Sequence, residues 1–316
     1  MSDSGQLDRS RPEVHGLDNH LLTYLSPYPL KPFPMLALFG SKGYLGTQLA
    51  EFFKRRNVEV ECFDIPRCDV TSAAFWNLFD PERYEAVLFF AGMTGTEQSF
   101  VNADGFLAVN EQGLLNLLKK LAPLGEKAPY VVFPSSRLVY RGAEVSLRED
   151  DPKETKTVYA VNKLACEALL QAYSVRYGIR HAVVRICVPY GNIVSHDYSY
   201  GTVGFFLKQT TSGKITLYGD GSLRRTFTHV ADICEIIYRL SAGKIAGTFN
   251  IGGNDLTLQE AAQVIASRKE CEVSFVPWPE LALRLESGST FFDSSRLAAA
   301  TGFTDYRSFS VFALEI

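Results

Sequence analysis

Leu36-Ala37-Leu38-Phe39-Gly40-Ser41-Lys42-Gly43-Tyr44-Leu45-Gly46 decides the fold. A short apolar run is followed by three glycines spaced three apart. Next comes Thr47-Gln48-Leu49-Ala50-Glu51-Phe52-Phe53, whose apolar positions recur at helical spacing. The pattern predicts a strand, a tight turn and a helix N-terminus. Glycines let the backbone turn sharply and approach a ligand closely, and the free N–H groups of a helix's first turn attract a diphosphate. A glycine spacing alone is weak evidence in a chain with 24 glycines, but its context strengthens it. A second apolar stretch, Val58 to Phe63, ends at Asp64, about 20 residues beyond the loop, where a carboxylate accepts hydrogen bonds from an adenosine ribose.

Outward from this stretch the chain alternates strand-like and helix-like segments. Cys68-Asp69-Val70-Thr71 precedes a helix around Ala73 to Phe79. The run Ala86 to Phe90 reads as the third strand and ends in Ala91-Gly92, with Thr94 just beyond. Phe106 to Leu121 reads as a long helix carrying Asn110. The fourth strand, Tyr130 to Phe133, opens through Pro134 onto Ser135-Ser136. A helix from about Val158 to Tyr177 and a strand from His181 to Cys187 follow. The expected fold is therefore α/β, a doubly wound parallel sheet of Rossmann type.

Before Met35, residues 1–34 read as an N-terminal arm punctuated by Pro27, Pro29, Pro32 and Pro34. Residues 35–187 read as the dinucleotide-binding domain, with a return to the sheet near 226–252. Residues 188–316, richer in Gly, Tyr and Ser loops, read as a smaller α+β substrate-binding domain.

The bulk composition restricts the function. The 316 residues are 46% hydrophobic and 21% charged, with a formal charge of -3 and no dense basic run, which argues against a nucleic-acid partner. No apolar run approaches the roughly 20 residues that span a bilayer, and the N-terminus lacks signal architecture, so a cytoplasmic protein without membrane contact is expected. Six scattered cysteines read as core thiols, neither a disulfide framework nor a metal site.

Tyr159 and Lys163 stand four apart on one helix face. An ammonium beside a phenol favours the phenolate, bringing its pKa down toward the range of a general base. Ser136, at the end of the preceding strand, can hydrogen-bond the same reacting hydroxyl.

The ordered set Gly40/Gly43/Gly46, Asp64, Asp69-Val70, Ala91-Gly92, Asn110, Ser136 with Val139-Tyr140, and Tyr159/Lys163 resembles the extended short-chain dehydrogenases/reductases. Within them it is most similar to the nucleotide-sugar epimerase/dehydratase branch. Leu217 to Asp232 resembles that branch's nucleotide-diphosphate segment, and Asn250-Ile251-Gly252-Gly253 the turn that follows. The resemblance implies Tyr159 as acid/base, Lys163 as holder of the nicotinamide ribose, and Ser136 as partner of the reacting oxygen. It implies a cofactor site of Gly40, Gly43, Tyr44, Leu45, Gly46, Asp64, Asp69, Val70, Ala91, Gly92 and Asn110 together with Tyr159 and Lys163. It implies substrate contacts from Thr94, Ser136, Tyr218 and Arg225, with Arg225 on the diphosphate. It also implies a homodimer and a nucleotide-diphosphate-sugar substrate.

Two departures, together with the carboxylate of Asp64, shape the expected reaction. Arg137 and Leu138 follow Ser136 where the branch's dehydratases carry an acidic pair, which disfavours dehydration. Val188 stands where an asparagine is usual. Asp64 favours NAD over a 2′-phosphate, while nearby Arg67 keeps NADP open. The expectation is an NAD-dependent nucleotide-sugar epimerase acting through a transient keto-sugar. An NAD(P)H-dependent keto-sugar reductase is the alternative, and a non-catalytic dinucleotide-binding protein a more distant one.

Overall fold

The computed structural model describes residues 35–316, and the N-terminal arm lies outside them. Strand β1 (Leu36–Phe39) is wholly buried, because the four apolar side chains are covered on both faces of a parallel sheet. After it come α1 (Tyr44–Arg55), β2 (Val60–Phe63), α2 (Ala73–Leu78) and β3 (Ala86–Phe89). The helical stretch expected from Phe106 is α3 (Thr96–Val101), α4 (Ala103–Phe106), a π-helical turn over Leu107–Gln112, and α5 (Gly113–Leu121). Next come β4 (Tyr130–Ser136), α6 (Val158–Tyr177), β5 (His181–Ile186) and β6 (Val188–Tyr190). The remainder includes α7 (Gly201–Thr210), β7 (Lys214–Tyr218), β8 (Arg224–His229), α8 (Val230–Gly243), β9 (Gly247–Asn250), β10 (Asn254–Thr257), α9 (Leu258–Lys269) and β11 (Glu272–Val276).

Six parallel strands form the main sheet in the order β2-β1-β3-β4-β5-β9. The chain leaves β1 toward β2 and then crosses to β3 on the other side, so the sheet's switch point lies between β1 and β3. Ligands bind outside the carboxyl ends of strands at such a point. The last strand comes from residues beyond Cys187, since β9 pairs with β5, and α8 packs against α1. A three-stranded sheet, β10-β8-β6, and a two-stranded one, β11-β7, surround a second apolar cluster that includes Tyr140, Val188, Phe227, Ile265 and Phe309.

Cys62 corrects the reading of the cysteines. Its side chain is exposed on the edge strand β2, where one face is open to solvent, whereas Cys68, Cys166, Cys187 and Cys234 are buried thiols.

Candidate active site

The glycine loop is sterically compelled. Gly40 has φ +80°, and a Cβ there would stand 2.5 Å from the Ala91 amide nitrogen. A Cβ on Gly46 would stand 2.0 Å from the Gly40 carbonyl oxygen. The loop therefore packs backbone to backbone against the end of β3, and Gly43 N–H closes the turn onto Gly40 O at 3.1 Å. Gly43 caps α1 without a side chain, and the first turn of α1 carries no acidic residue, so its amides face the cleft free of a competing carboxylate.

Helix α6 begins where Thr157 Oγ1 accepts from Ala160 N at 3.0 Å and ends at Gly178 in the left-handed conformation, φ +75°. Between those caps it sends Tyr159 and Lys163 to the carboxyl end of β4. Ser136, the last residue of β4, stands beside the Tyr159 phenol, and its Oγ accepts from Leu138 N at 3.2 Å. Lys163 is 6% exposed and donates through Nζ to Pro134 O at 2.7 Å.

One cleft of about 220 Å3 is lined by Gly40, Gly43, Tyr44, Leu45, Gly46, Gly92, Thr94, Ser136, Tyr159 and Lys163. These residues come from four separate stretches of sequence, and the switch point brings them together. Phe90, Cys187 and Pro189 complete the wall.

Other expected site residues lie elsewhere. Asp64 is at the end of β2, where Oδ2 accepts from Lys42 N at 2.7 Å and Oδ1 from Ile65 N at 2.8 Å, so it braces the glycine loop. Asp69 turns its Oδ1 onto Thr71 N and Oγ1, and these bonds hold its carboxyl below the usual range. Val70 is buried beside Gly113, and its carbonyl accepts from Trp76 and Asn116. Ala91 packs on the sheet core. Asn110 sits in the π-helical turn with both ends of its amide engaged: Oδ1 accepts from Met93 N at 2.7 Å and Nδ2 donates to Met93 O at 3.0 Å. It fixes the loop that carries Gly92 and Thr94 without lining the cleft itself.

Two expectations are corrected. Arg225 is 2% exposed on β8, with its guanidinium bound to Glu286 at 2.8 Å and to the carbonyls of Arg224 and Gly288. Burial and the Arg137 charge push its pKa down to about 10 against the opposing pull of Glu286. These partners occupy the groups that a diphosphate would need. Tyr218 is exposed, with its ring against Trp278.

The second correction concerns Tyr159, whose phenol is pushed upward. Burial is the main cause, the Tyr200 charge adds to it, and the Ser136 hydroxyl opposes it. Lys163 does not reverse this, because its ammonium turns to Pro134 O and stands 5.6 Å from the Tyr159 ring centroid. Burial also depresses Lys163 itself, to about 8, despite the nearby Cys166 and Glu167.

Tyr200 is the residue that sequence reasoning missed. It stacks on Tyr44 with ring centroids 3.9 Å apart and stands near Thr94, between the two sides of the cleft. It lies in an irregular stretch with no periodicity to mark it. His229 serves a structural end: its Nδ1 accepts from Ala231 N at the start of α8, and burial and then Arg307 lower its pKa to about 3. Among the described residues no cluster of His, Cys, Asp or Glu is placed to hold a metal, and no helix is long and apolar enough to cross a membrane.

A match to the model of the NAD dependent epimerase/dehydratase family covers residues 36–252, from the first strand to the turn after β9. The chain belongs to that family. Members catalyse oxidoreductase-type chemistry with a nicotinamide cofactor, and the glycine cradle at the N-terminus of α1 fits such a dinucleotide. Among curated relatives, the GDP-6-deoxy-D-mannose reductase of Pseudomonas aeruginosa is 25% identical over 84% of this chain and 90% of its own length. The dTDP-D-glucose 4,6-dehydratase of Mus musculus is 33% identical over 56% of this chain, a match spanning only 49% of that enzyme. Among solved structures, the UDP-glucose 4-epimerase of Thermus thermophilus in complex with NAD superposes with a TM-score of 0.73 at 23% identity, covering 84% of this chain and 92% of that one. RMD from Pseudomonas aeruginosa, complexed with NADPH, gives 0.75 at 23% identity, covering 89% and 95%. Family members with this fold thus use both cofactors.

Proposed function

We propose that this chain is an NAD-dependent nucleotide-sugar epimerase working through a transient keto-sugar. The observation that carries the reading is the shared cleft, in which the Ser136–Tyr159 pair faces the glycine loop. Gly40, Gly43, Gly46 and the first turn of α1 would hold the cofactor's diphosphate, Asp64 its ribose hydroxyls, and Lys163 the nicotinamide ribose. When bound, the nicotinamide supplies a reversible hydride acceptor.

The chain's own residues handle the proton and the orientation. Ser136 stands beside the Tyr159 phenol and offers a hydrogen bond to a sugar hydroxyl. Burial keeps the Tyr159 phenol protonated in the empty cleft; beside a positively charged nicotinamide it would act as phenolate, taking the proton from the sugar hydroxyl as the carbon gives up its hydride and returning it to the same oxygen when the hydride comes back. Thr94, on the loop that Asn110 clamps, borders the sugar, and Tyr218 flanks the substrate further out. Arg137 and Leu138 supply no acid beside Ser136, so water elimination lacks its proton donor. The exposed apolar residues Phe100 and Val101 on α3 and Val161 and Val175 on α6 offer a surface for a second copy of the chain.

A reductase reading is favoured by one observation, the near full-length match to the reductase relative. Denaturing the purified protein and identifying the released nucleotide by mass spectrometry separates the two. Stoichiometric NAD with turnover needing no added reductant supports the epimerase. A site that releases nothing, binds NADPH best and consumes it in each cycle overturns the epimerase in favour of the reductase.

A further inference from the structure

Arg137 differs from the other arginines held inside the fold. Arg185 is paired with Glu167, Arg225 with Glu286 and Arg239 with Glu235. Arg137 is half-buried on the turn after β4, and its side chain makes one hydrogen bond, from Nη1 to Thr290 Oγ1 at 3.2 Å. Among the described residues it has no carboxylate partner. The charge that faces it is of like sign, since Arg137 and Arg225 act on one another and both act on Cys187, a residue of the cleft wall. Thr290 itself bridges to Arg225. A guanidinium has five N–H donors in a planar fork that matches a carboxylate or phosphate, and one that is half-desolvated and unpaired gains strongly from such an anion.

Position selects the anion. Arg137 directly follows Ser136, and Ser136 with Tyr159 marks where the reacting sugar hydroxyl lies. In a hexuronate the carboxylate hangs from the ring carbon next to the 4-hydroxyl. We propose that Arg137 binds a carboxylate on the sugar, so that the preferred substrate is a nucleotide-diphosphate hexuronate. The proposal rests on the reading of the cleft as a nucleotide-sugar site. It also gives a function to the departure at the position after Ser136, where a cation stands in place of an acid.

The test is calorimetric binding to the NAD-loaded protein. The probes are UDP, UDP-glucose and UDP-glucuronate, together with GDP, GDP-mannose and GDP-mannuronate. The wild-type protein should bind at least one hexuronate about tenfold or more tightly than its neutral counterpart. Arg137→Met should abolish that preference while the affinities for the neutral sugar and the free diphosphate stay within about twofold, and Arg137→Lys should keep part of it. Equal binding of neutral and acidic sugars by the wild type overturns the proposal and leaves the nucleotide-sugar reading standing. An Arg137→Met loss shared equally by all the probes assigns the guanidinium to the diphosphate and also overturns it. If none of the six ligands binds, the nucleotide-sugar reading fails and the proposal with it. The wild-type comparison needs no variant to fold.

Discussion

Replacing Lys163 by Met should make the nucleotide-free protein more stable at neutral pH while removing its activity. Lys163 is 6% exposed, and burial lowers its pKa from 10.5 to about 8. That gap, at 1.36 kcal/mol per pKa unit, amounts to about 3 kcal/mol of destabilisation whenever the ammonium is charged in both states. Met fills the same volume without charge. It forfeits the hydrogen bond to Pro134 O, worth about 1 kcal/mol, and the contact over the Phe133 ring, worth about 0.5 to 1 kcal/mol. The net gain is about 1 to 1.5 kcal/mol, or roughly 2 to 6 °C in Tm for a domain of this size. The sign reverses with pH in a defined window. Between about 8 and 10.5 the unfolded chain holds a proton on Lys163 that the folded chain has released. Wild-type stability therefore rises through that window relative to the variant. Urea unfolding of both proteins at pH 7 and pH 10.5 reads the difference. A variant less stable than wild type at pH 7, or an advantage equal at both pH values, refutes the reasoning.

Tyr159→Phe should lower turnover by about a thousandfold, within the range of general acid–base catalysis, while NAD remains bound; steady-state kinetics and released-nucleotide analysis check both halves. Gly46→Ala drives a methyl group to 2.0 Å from Gly40 O and should cost about 2 to 3 kcal/mol in denaturant unfolding, together with loss of NAD. Asn110→Ala leaves Met93 N–H without its acceptor and should cost about 2 kcal/mol and weaken NAD binding by loosening the Gly92–Thr94 loop, as measured by thermal shift with and without NAD. Glu286→Ala strands the buried Arg225 guanidinium and should cost about 3 kcal/mol, measured by urea unfolding.

The parallel sheet was legible because its strands carry their signal locally. β1, β3 and β4 are short apolar runs, and each ends in a small or hydroxylic residue that a ligand can approach. α6 was legible to the residue because Thr157 and Gly178 punctuate it. The cleft residues Ser136, Tyr159 and Lys163 followed from motif order. Arg225 did not, because its partner Glu286 lies 61 positions away on a segment with no motif. The direction of the Tyr159 pKa was misjudged for a similar reason: helical spacing places an ammonium near a phenol but does not show that the Pro134 carbonyl takes it. Tyr200 was invisible because its role depends on stacking against Tyr44 across the cleft.

Those cross-cleft contacts bear on how the two halves of the site work together. Tyr44, in the first turn of α1, donates its hydroxyl to Gly191 O at 2.7 Å and stacks on Tyr200. Further along the same helix, Gln48 accepts from Ile193 N and donates to Asn192, and Arg55 donates to Ile193 O. The helix whose N-terminus lines the cleft is thus fastened by its side chains to the segment 191–200. That segment in turn reaches Thr94 through Tyr200. A ligand that orders the start of α1 orders the wall around Tyr200 and Thr94 as well, because the same side chains serve both. Tyr44→Phe keeps the ring stack but deletes the bond to Gly191. It should therefore weaken the affinity for the sugar more than the affinity for NAD, whereas loss of NAD binding alone would show that the two walls act independently.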